Sequence, residues 1–253
     1  MKCILCEENG IKFLDKYKFN INSDIEYFGN INIYFCKSCN FSFCNPMPEK
    51  NKLTYYYENI YRSKGRPHEL HPDNIDSKLM SNKNLNYLQY LSTFIKFKDI
   101  NKIFDFGSGT GDIGYLLKKQ FDHLELYSNE NDNFSKKILK KRGYQNFTEI
   151  DNIDLKFDLI LSVHSLEHLT DFKIINFFKK ISKPNSFLFL EVPNCPIDEE
   201  FLKRPYDSPH LMFFSKESFI QISKKFNLDL INLNVASHSI KQNFKYMERS
   251  KKK

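Results

Sequence analysis

Residues Phe104–Gly111 read FDFGSGTG, a short apolar strand that runs directly into glycines at 107, 109 and 111. This stretch constrains the fold more than any other. A strand ending in glycines leaves room for a nucleotide-like group against bare backbone. The amphipathic helix expected over Asp112 to Phe121 carries Ile113, Leu116, Leu117 and Phe121 on one face. Its N-terminal amides would point at that group. A plain tight turn needs the same glycines, so the surroundings have to decide.

They form an alternating pattern from about residue 82 onward. A helix is expected at 82–97, with Leu85, Leu88, Leu91 and Ile95 on its face, followed by a strand at 102–106. A second strand is expected over His123–Asn129, then a basic helix at 134–142 closed by Gly143. Further strands are expected at 146–150, Phe157–Val163, Phe187–Val192 and Leu228–Val235, with helices at 171–182 and 216–226. Strands alternating with helices imply an α/β fold, a Rossmann-like, mostly parallel sheet covered on both faces.

In such sheets the ligand sits beyond the carboxyl ends of the strands. The second strand ends in SNEND, which places Glu130 19 residues beyond Gly111. A carboxylate there can accept both hydroxyls of a ribose; the alternative is an acidic surface loop. The glycine pattern is G-x-G-x-G, without the G-x-G-x-x-G spacing that seats a pyrophosphate.

Cys3 and Cys6 form one C-x-x-C and Cys36 and Cys39 another, with 29 residues between. Four thiolates of this kind can close a tetrahedron around structural Zn2+. Four unrelated thiols or a redox pair is the alternative. Cys44 and Cys195 lack such spacing and read as ordinary thiols. Residues 1–45 thus form a small β-rich zinc-binding module, with alternation at Ile31, Ile33 and Phe35. Prolines 46 and 48 begin a tyrosine-rich connector, 46–81, expected to lie as a lid over the site, and the main domain spans 82–253.

The formal net charge is +7 and no apolar run reaches the roughly 18 residues of a membrane span. The start, MKCILCEENG, has no secretory pattern, so a cytoplasmic location is expected. The lysines are scattered among asparagines and acidic residues, so a nucleic-acid partner is not expected. The charge favours an anionic small-molecule acceptor. The oligomeric state stays open.

Taken in order, these motifs resemble the class I S-adenosylmethionine-dependent methyltransferases. The likeness continues through FDLILSVHSLEHLTD (157–171) and KPNSFLFLEVPN (183–194). The paired knuckles, CKSCNFSFCNPMPE, YYYENIY and SPHLMFFSKESF (208–219) resemble a subgroup with an N-terminal zinc-binding module. The resemblance implies that Gly107, Gly109 and Gly111 pack against the methionine part of the cofactor S-adenosylmethionine, with Asp105 near its amino group. Glu130 would hold the ribose, Asp151 or Asn152 would approach the adenine, and Ser162 to His164 would border the methyl group.

The implied reaction is in-line displacement at the methyl carbon of a sulfonium, which calls for alignment and the removal of a proton from a protic acceptor. His164, His168 and His210 are the candidate bases. Alternatively, His168 pairs with Glu167 inside its loop and His210 anchors the segment after strand five. Ubiquinone-type O-methyltransferases resemble the chain at Leu166–His168, and some hold a metal with an acidic residue two before that leucine. His164 stands there, so a catalytic Mg2+ is not expected. Sugar C-methyltransferases with the zinc module carry a long extra C-terminal domain. This chain ends at 253, so transfer to oxygen or nitrogen is expected instead. The acceptor would be a sugar, a nucleotide-linked intermediate or a phosphate-bearing precursor of surface polysaccharide. RNA or protein methylation, with the module gripping the polymer, is the alternative, and a non-catalytic binding protein that keeps the fold is a third reading.

Overall fold

The computed structural model describes residues 1–71, 75–194, 202 and 209–235. Its centre is a five-stranded parallel sheet of β4 (Lys102–Phe106), β5 (Glu125–Asn129), β6 (Tyr144–Asn146), β7 (Phe157–Val163) and β8 (Ser182–Glu191). The strand order is β6-β5-β4-β7-β8. The chain builds outward from β4 through β5 to β6, then returns to lay β7 on the other side of β4. The strand order therefore reverses between β4 and β7, and the crevice for a ligand opens at their carboxyl ends.

Helices cover both faces, which is why β4 and β7 are apolar almost throughout. On one side pack α4 (Asn82–Ser92), α5 (Asp112–Gln120) and α6 (Asn133–Lys141), through Tyr87, Leu91, Ile113, Leu117 and Leu139. The other side receives α7 (Lys173–Ile181) and α8 (Lys216–Phe226). There Ile175, Phe178, Ile222 and Phe226 meet Phe104, Phe157 and Ile160. Each side chain fully buried in this way stabilises the fold by roughly 1.5–3 kcal/mol.

The cysteine-bearing region forms a second sheet, of order β1-β2-β3-β9. Its strands are β1 (Ile11–Lys16), β2 (Asn32–Cys36), β3 (Phe41–Asn45) and β9 (Met212–Phe213). β9 comes from the far end of the chain and pairs antiparallel with β3 through Ser42–Phe213 and Phe43–Met212. Phe41 and Phe43 share one core with Phe104 and Phe178 of the larger sheet. The opposite face of the small sheet buries Ile33, Cys44 and Phe213 against Phe28, Leu53 and Tyr56. A short helix α1 (Ile25–Phe28) lies between β1 and β2, and α2 (Lys50–Tyr55) and α3 (Ile75–Leu79) lie in the connector.

Several boundaries differ from expectation. α4 ends at Ser92, short of 97, because Ser92 Oγ and Thr93 Oγ1 donate to the Leu88 and Tyr90 carbonyls and the chain tightens into a turn. β6 lies at 144–146 and not at 146–150, because Tyr144 is the side chain buried behind the glycine loop. Residues 228–235 form no strand. They follow α8 without regular structure, with Leu230, Ile231 and Val235 exposed, since an alternating segment gains a ladder only where it reaches a sheet edge. Cys44 is buried, whereas Cys195 lies outside the described residues.

Candidate active site

Gly107, Gly109 and Gly111 all adopt left-handed backbone, with φ of 62°, 54° and 71°. A Cβ on Gly107 would collide with Ser165 Oγ, and one on Gly111 with Leu139 and Tyr144. Those two glycines are therefore required by the protein's own packing. Gly109 differs, because its nearest neighbour is the end of a flexible side chain, Arg62 Nη2, at 3.1 Å from where a Cβ would stand. Gly111 is also the N-cap of α5.

Acidic groups surround this loop. Glu130, just past β5, accepts from Gly109 N at 2.7 Å and from Asp132 N at 2.8 Å. Asn146, ending β6, holds the Glu130 backbone on both sides, accepting from its N–H and donating to its carbonyl. Asp105 is 5% exposed on β4. Burial first, then the Glu130 and Asp112 carboxylates, pushes its carboxyl well above the usual range. Asp112 itself is neutralised by Arg142, whose guanidinium also donates to the Thr110 carbonyl. A ligand bearing an ammonium and a sulfonium would relieve Asp105, and a ribose diol suits the Glu130 carboxylate. The residues fit S-adenosylmethionine.

Asp151 and Asn152 are not brought to this loop. They sit exposed on the short turn Ile150–Asn152, where the Asp151 carbonyl lies 3.5 Å from Lys180 Nζ near the end of α7. β6 ends four residues earlier than expected, so the chain has already turned back by 151. The residues at the carboxyl end of β6 are Asn146 and Phe147, and Phe147 N donates to the Ser128 carbonyl beside Glu130.

The second half of the site lies past β7 and β8. Ser162 is fully buried beside Phe106. Ser165 donates to the Phe106 carbonyl at 3.1 Å and so pins the HSLEH turn to the glycine loop. His164 has φ of 53°, and its N–H donates to the Glu191 carbonyl. Its Nε2 lies 3.2 Å from Glu191 Oε2 and its Nδ1 3.5 Å from Glu167 Oε1. Burial lowers the His164 pKa, with Glu191 opposing, and burial raises both carboxylates. Tyr87 and Lys83, one turn apart on α4, complete this cluster: the Tyr87 hydroxyl is 3.5 Å from His164 Nε2.

His168 and His210 stand edge to face with ring centroids 4.9 Å apart. Burial brings each down to about 4, so both are neutral near pH 7. The connector roofs them: Tyr57 OH lies 3.0 Å from His168 Nδ1, and Tyr61 stacks on His68. All three expected histidines thus converge. Glu191, Lys83, Tyr87 and Tyr57 were not singled out from sequence. Glu191 ends β8 just as Glu130 follows β5, and that placement rule could have found it.

In the small sheet, Cys3 and Cys39 sulfurs are 3.8 Å apart, and Cys6 and Cys36 sulfurs 3.5 Å. All four lie within 4.8 Å of one another. A disulfide would need about 2.05 Å, whereas tetrahedral thiolates around zinc, with bonds of about 2.3 Å, stand about 3.8 Å apart. Leu5 N also donates to Cys3 Sγ. The donor set fits Zn2+. A cleft of about 380 Å³ lined by Phe94, Asp99, Asp158 and Phe187 opens at the other end of the strands, and no candidate residue lines it.

The parallel sheet, with its acidic glycine loop in the crevice beside β4, has the architecture of the class I methyltransferases. Residues 77–233 match the family model described as a methyltransferase domain, and the chain belongs to that family. No curated protein matches it in sequence. Among solved structures, it is similar to a Leishmania major S-adenosylmethionine-dependent methyltransferase, at 17% identity over 72% of this chain and 74% of that one, TM-score 0.48. YjhP from E. coli is similar at 14% identity over 72% and 73%, TM-score 0.47. The StiE O-MT chain matches at 17% identity over 39% of this chain, TM-score 0.36, and only 40% of that chain's length is spanned.

Proposed function

We propose that the protein transfers a methyl group from S-adenosylmethionine to an oxygen of a small acceptor, a sugar, nucleotide-linked or phosphate-bearing precursor in surface polysaccharide synthesis. S-adenosylmethionine supplies a methyl group already activated on a sulfonium. Gly109, the one loop glycine facing a displaceable side chain, gives the cofactor room, Asp105 takes its ammonium and Glu130 its ribose. The reading rests most on Asp105, a buried carboxyl surrounded by like charge at the carboxyl end of β4.

Oxygen transfer is supported by His164. Its neutral imidazole stands between Glu167 and Glu191, so a proton taken from a hydroxyl would be stabilised by either carboxylate. An anionic acceptor is supported by Arg62 over the loop and by Lys83 beside Glu191. The polysaccharide assignment is supported by the likeness of the cysteine module to the sugar-modifying subgroup. The four cysteines fit structural Zn2+, which would tie the segment before β1 to the β2–β3 turn. The polymer alternative is weakened by the tyrosines: Tyr56 is 2% exposed and packs against Tyr57 and Tyr61, leaving Tyr55 as the outward ring.

Isothermal titration with S-adenosylmethionine tests the first step; heat absent at millimolar cofactor removes methyl transfer altogether. A cofactor-consumption screen over nucleotide sugars, sugar phosphates and phosphoramidates then tests the acceptor. Turnover only with RNA or a protein would replace this acceptor class with a polymer.

A further inference from the structure

Glu167 is 1% exposed, and neither of its carboxylate oxygens has a hydrogen-bond partner among the described residues. A buried, unbonded carboxylate is strongly unfavourable unless something positive meets it. What surrounds it is nitrogen: His164 Nδ1 at 3.5 Å and His168 Nε2 at 4.0 Å, both beyond good hydrogen-bond range. One ligand atom each from Glu167, His168 and His210 lies within 4.8 Å of the others. Nitrogen and oxygen ligands on one ion, with bonds of about 2.1 Å, stand about 3.4 Å apart, so small side-chain rotations bring these three onto a common centre.

The tautomer of His168 points the same way. Its Nδ1 lies 3.0 Å from the Pro209 carbonyl, which can only accept, so Nδ1 carries the proton. Nε2 therefore turns a lone pair toward Glu167. Metal-bound histidines are held in this manner, with the remote ring N–H donated to a backbone carbonyl. The turn carrying Glu167 and the segment carrying His210 are also tied together, by Leu211 N donating to the Glu167 carbonyl at 2.7 Å.

We propose that Glu167, His168 and His210 bind a divalent first-row transition-metal ion, a site separate from the four cysteines. Two imidazoles and one carboxylate suit zinc or iron(II), whereas magnesium demands an oxygen shell. Three protein ligands leave a further coordination position. That position would take the acceptor hydroxyl and lower its pKa beside His164, a role that rests on the methyl-transfer reading; metal binding itself does not.

The test uses full-length protein stripped by chelation and titrated with cobalt(II). The cysteine site reports through intense sulfur-to-cobalt charge-transfer absorption, while a nitrogen–oxygen site adds only weak visible bands. Wild type is expected to take up one equivalent beyond the thiolate site. Glu167→Gln and His210→Asn should each lose that equivalent while keeping the charge-transfer band and the circular dichroism spectrum. Uptake confined to the thiolate site in wild type, or the extra equivalent retained in a folded Glu167→Gln, overturns the proposal. Should one variant misfold, the other variant and the wild-type stoichiometry still decide. S-adenosylmethionine titration of the same samples separates the two readings: cofactor binding without the second metal sinks this inference alone, and metal uptake without cofactor binding sinks methyl transfer alone.

Discussion

Asp105 sets the stability of the free protein against its affinity for ligand. Its folded-state pKa is raised above the ordinary 3.8, chiefly by burial and then by Glu130 and Asp112. The folded state therefore holds a proton that the unfolded chain releases above about pH 4. The resulting stabilisation is complete below 3.8 and is lost as pH rises through the folded value. Asp105→Asn should remove this fall. Denaturant midpoints of the ligand-free variant, followed upward from pH 4, should decline less than those of wild type; equal slopes would show that Asp105 does not titrate in this way. The same variant should bind S-adenosylmethionine about tenfold to a hundredfold more weakly, since a charge-assisted hydrogen bond contributes about 1.5–3 kcal/mol. Gly109→Val should abolish cofactor binding and leave the metal content unchanged. Its φ of 54° disfavours any side chain, and the branch would press on Arg62. Normal titration heats in that variant would show that the loop is not the cofactor site.

Among the elements, those buried on both faces were the most legible. β4 and β7 fall where apolar runs predicted them, and α8 runs from 216 to 226 as its periodicity requires. α8 also carries a capping box between Ser215 and Ser218 that marks its start. Legibility failed where tertiary contacts decide. β6 is three residues long, and its register follows from Tyr144 filling the space behind Gly111 and Gly114, a contact with no local signature. That misplacement is why Asp151 and Asn152 were expected beside the adenine. Segment 228–235 alternates like a strand yet pairs with nothing described, since alternation says nothing about the presence of an edge. In the site, the glycine loop, Glu130 and the three histidines were readable from position. The burial of Glu167 and the arrival of Tyr87 and Lys83 from α4 depend on packing across the sheet. Tyr144 also donates to the Gly111 carbonyl at 2.9 Å, so β6 props the loop from behind. Tyr144→Phe should cost about 1 kcal/mol by denaturant unfolding, because the carbonyl keeps its helical partner Tyr115 N. No change in midpoint would mean that the hydroxyl is idle.

At the scale of the molecule, the cysteine module and the methyltransferase sheet share one core, and a strand from the later part of the chain, β9, completes the small sheet. Phe41 packs on Phe172 and Phe214, and Lys225 of α8 donates to the Leu5 carbonyl inside the first knuckle. Loss of the cluster should therefore be felt by the whole chain. Cys36→Ser should release zinc, lower the thermal midpoint and cut turnover, because His210 lies two residues before β9. Metal analysis, calorimetry and a methyl-transfer assay check this together, and unchanged metal content in the purified variant would remove the zinc assignment.

The pairing of β9 with β3 also has a consequence for engineering. Two residues near the end of the chain complete a sheet built at its beginning, so the movable unit is discontinuous. Excising residues 1–45 would strip Met212 and Phe213 of their partners and leave two buried apolar side chains facing water. A chimera that exchanges this module between related enzymes must carry the 209–214 segment with it, and a crossover placed only at the Pro46 boundary would yield an insoluble hybrid.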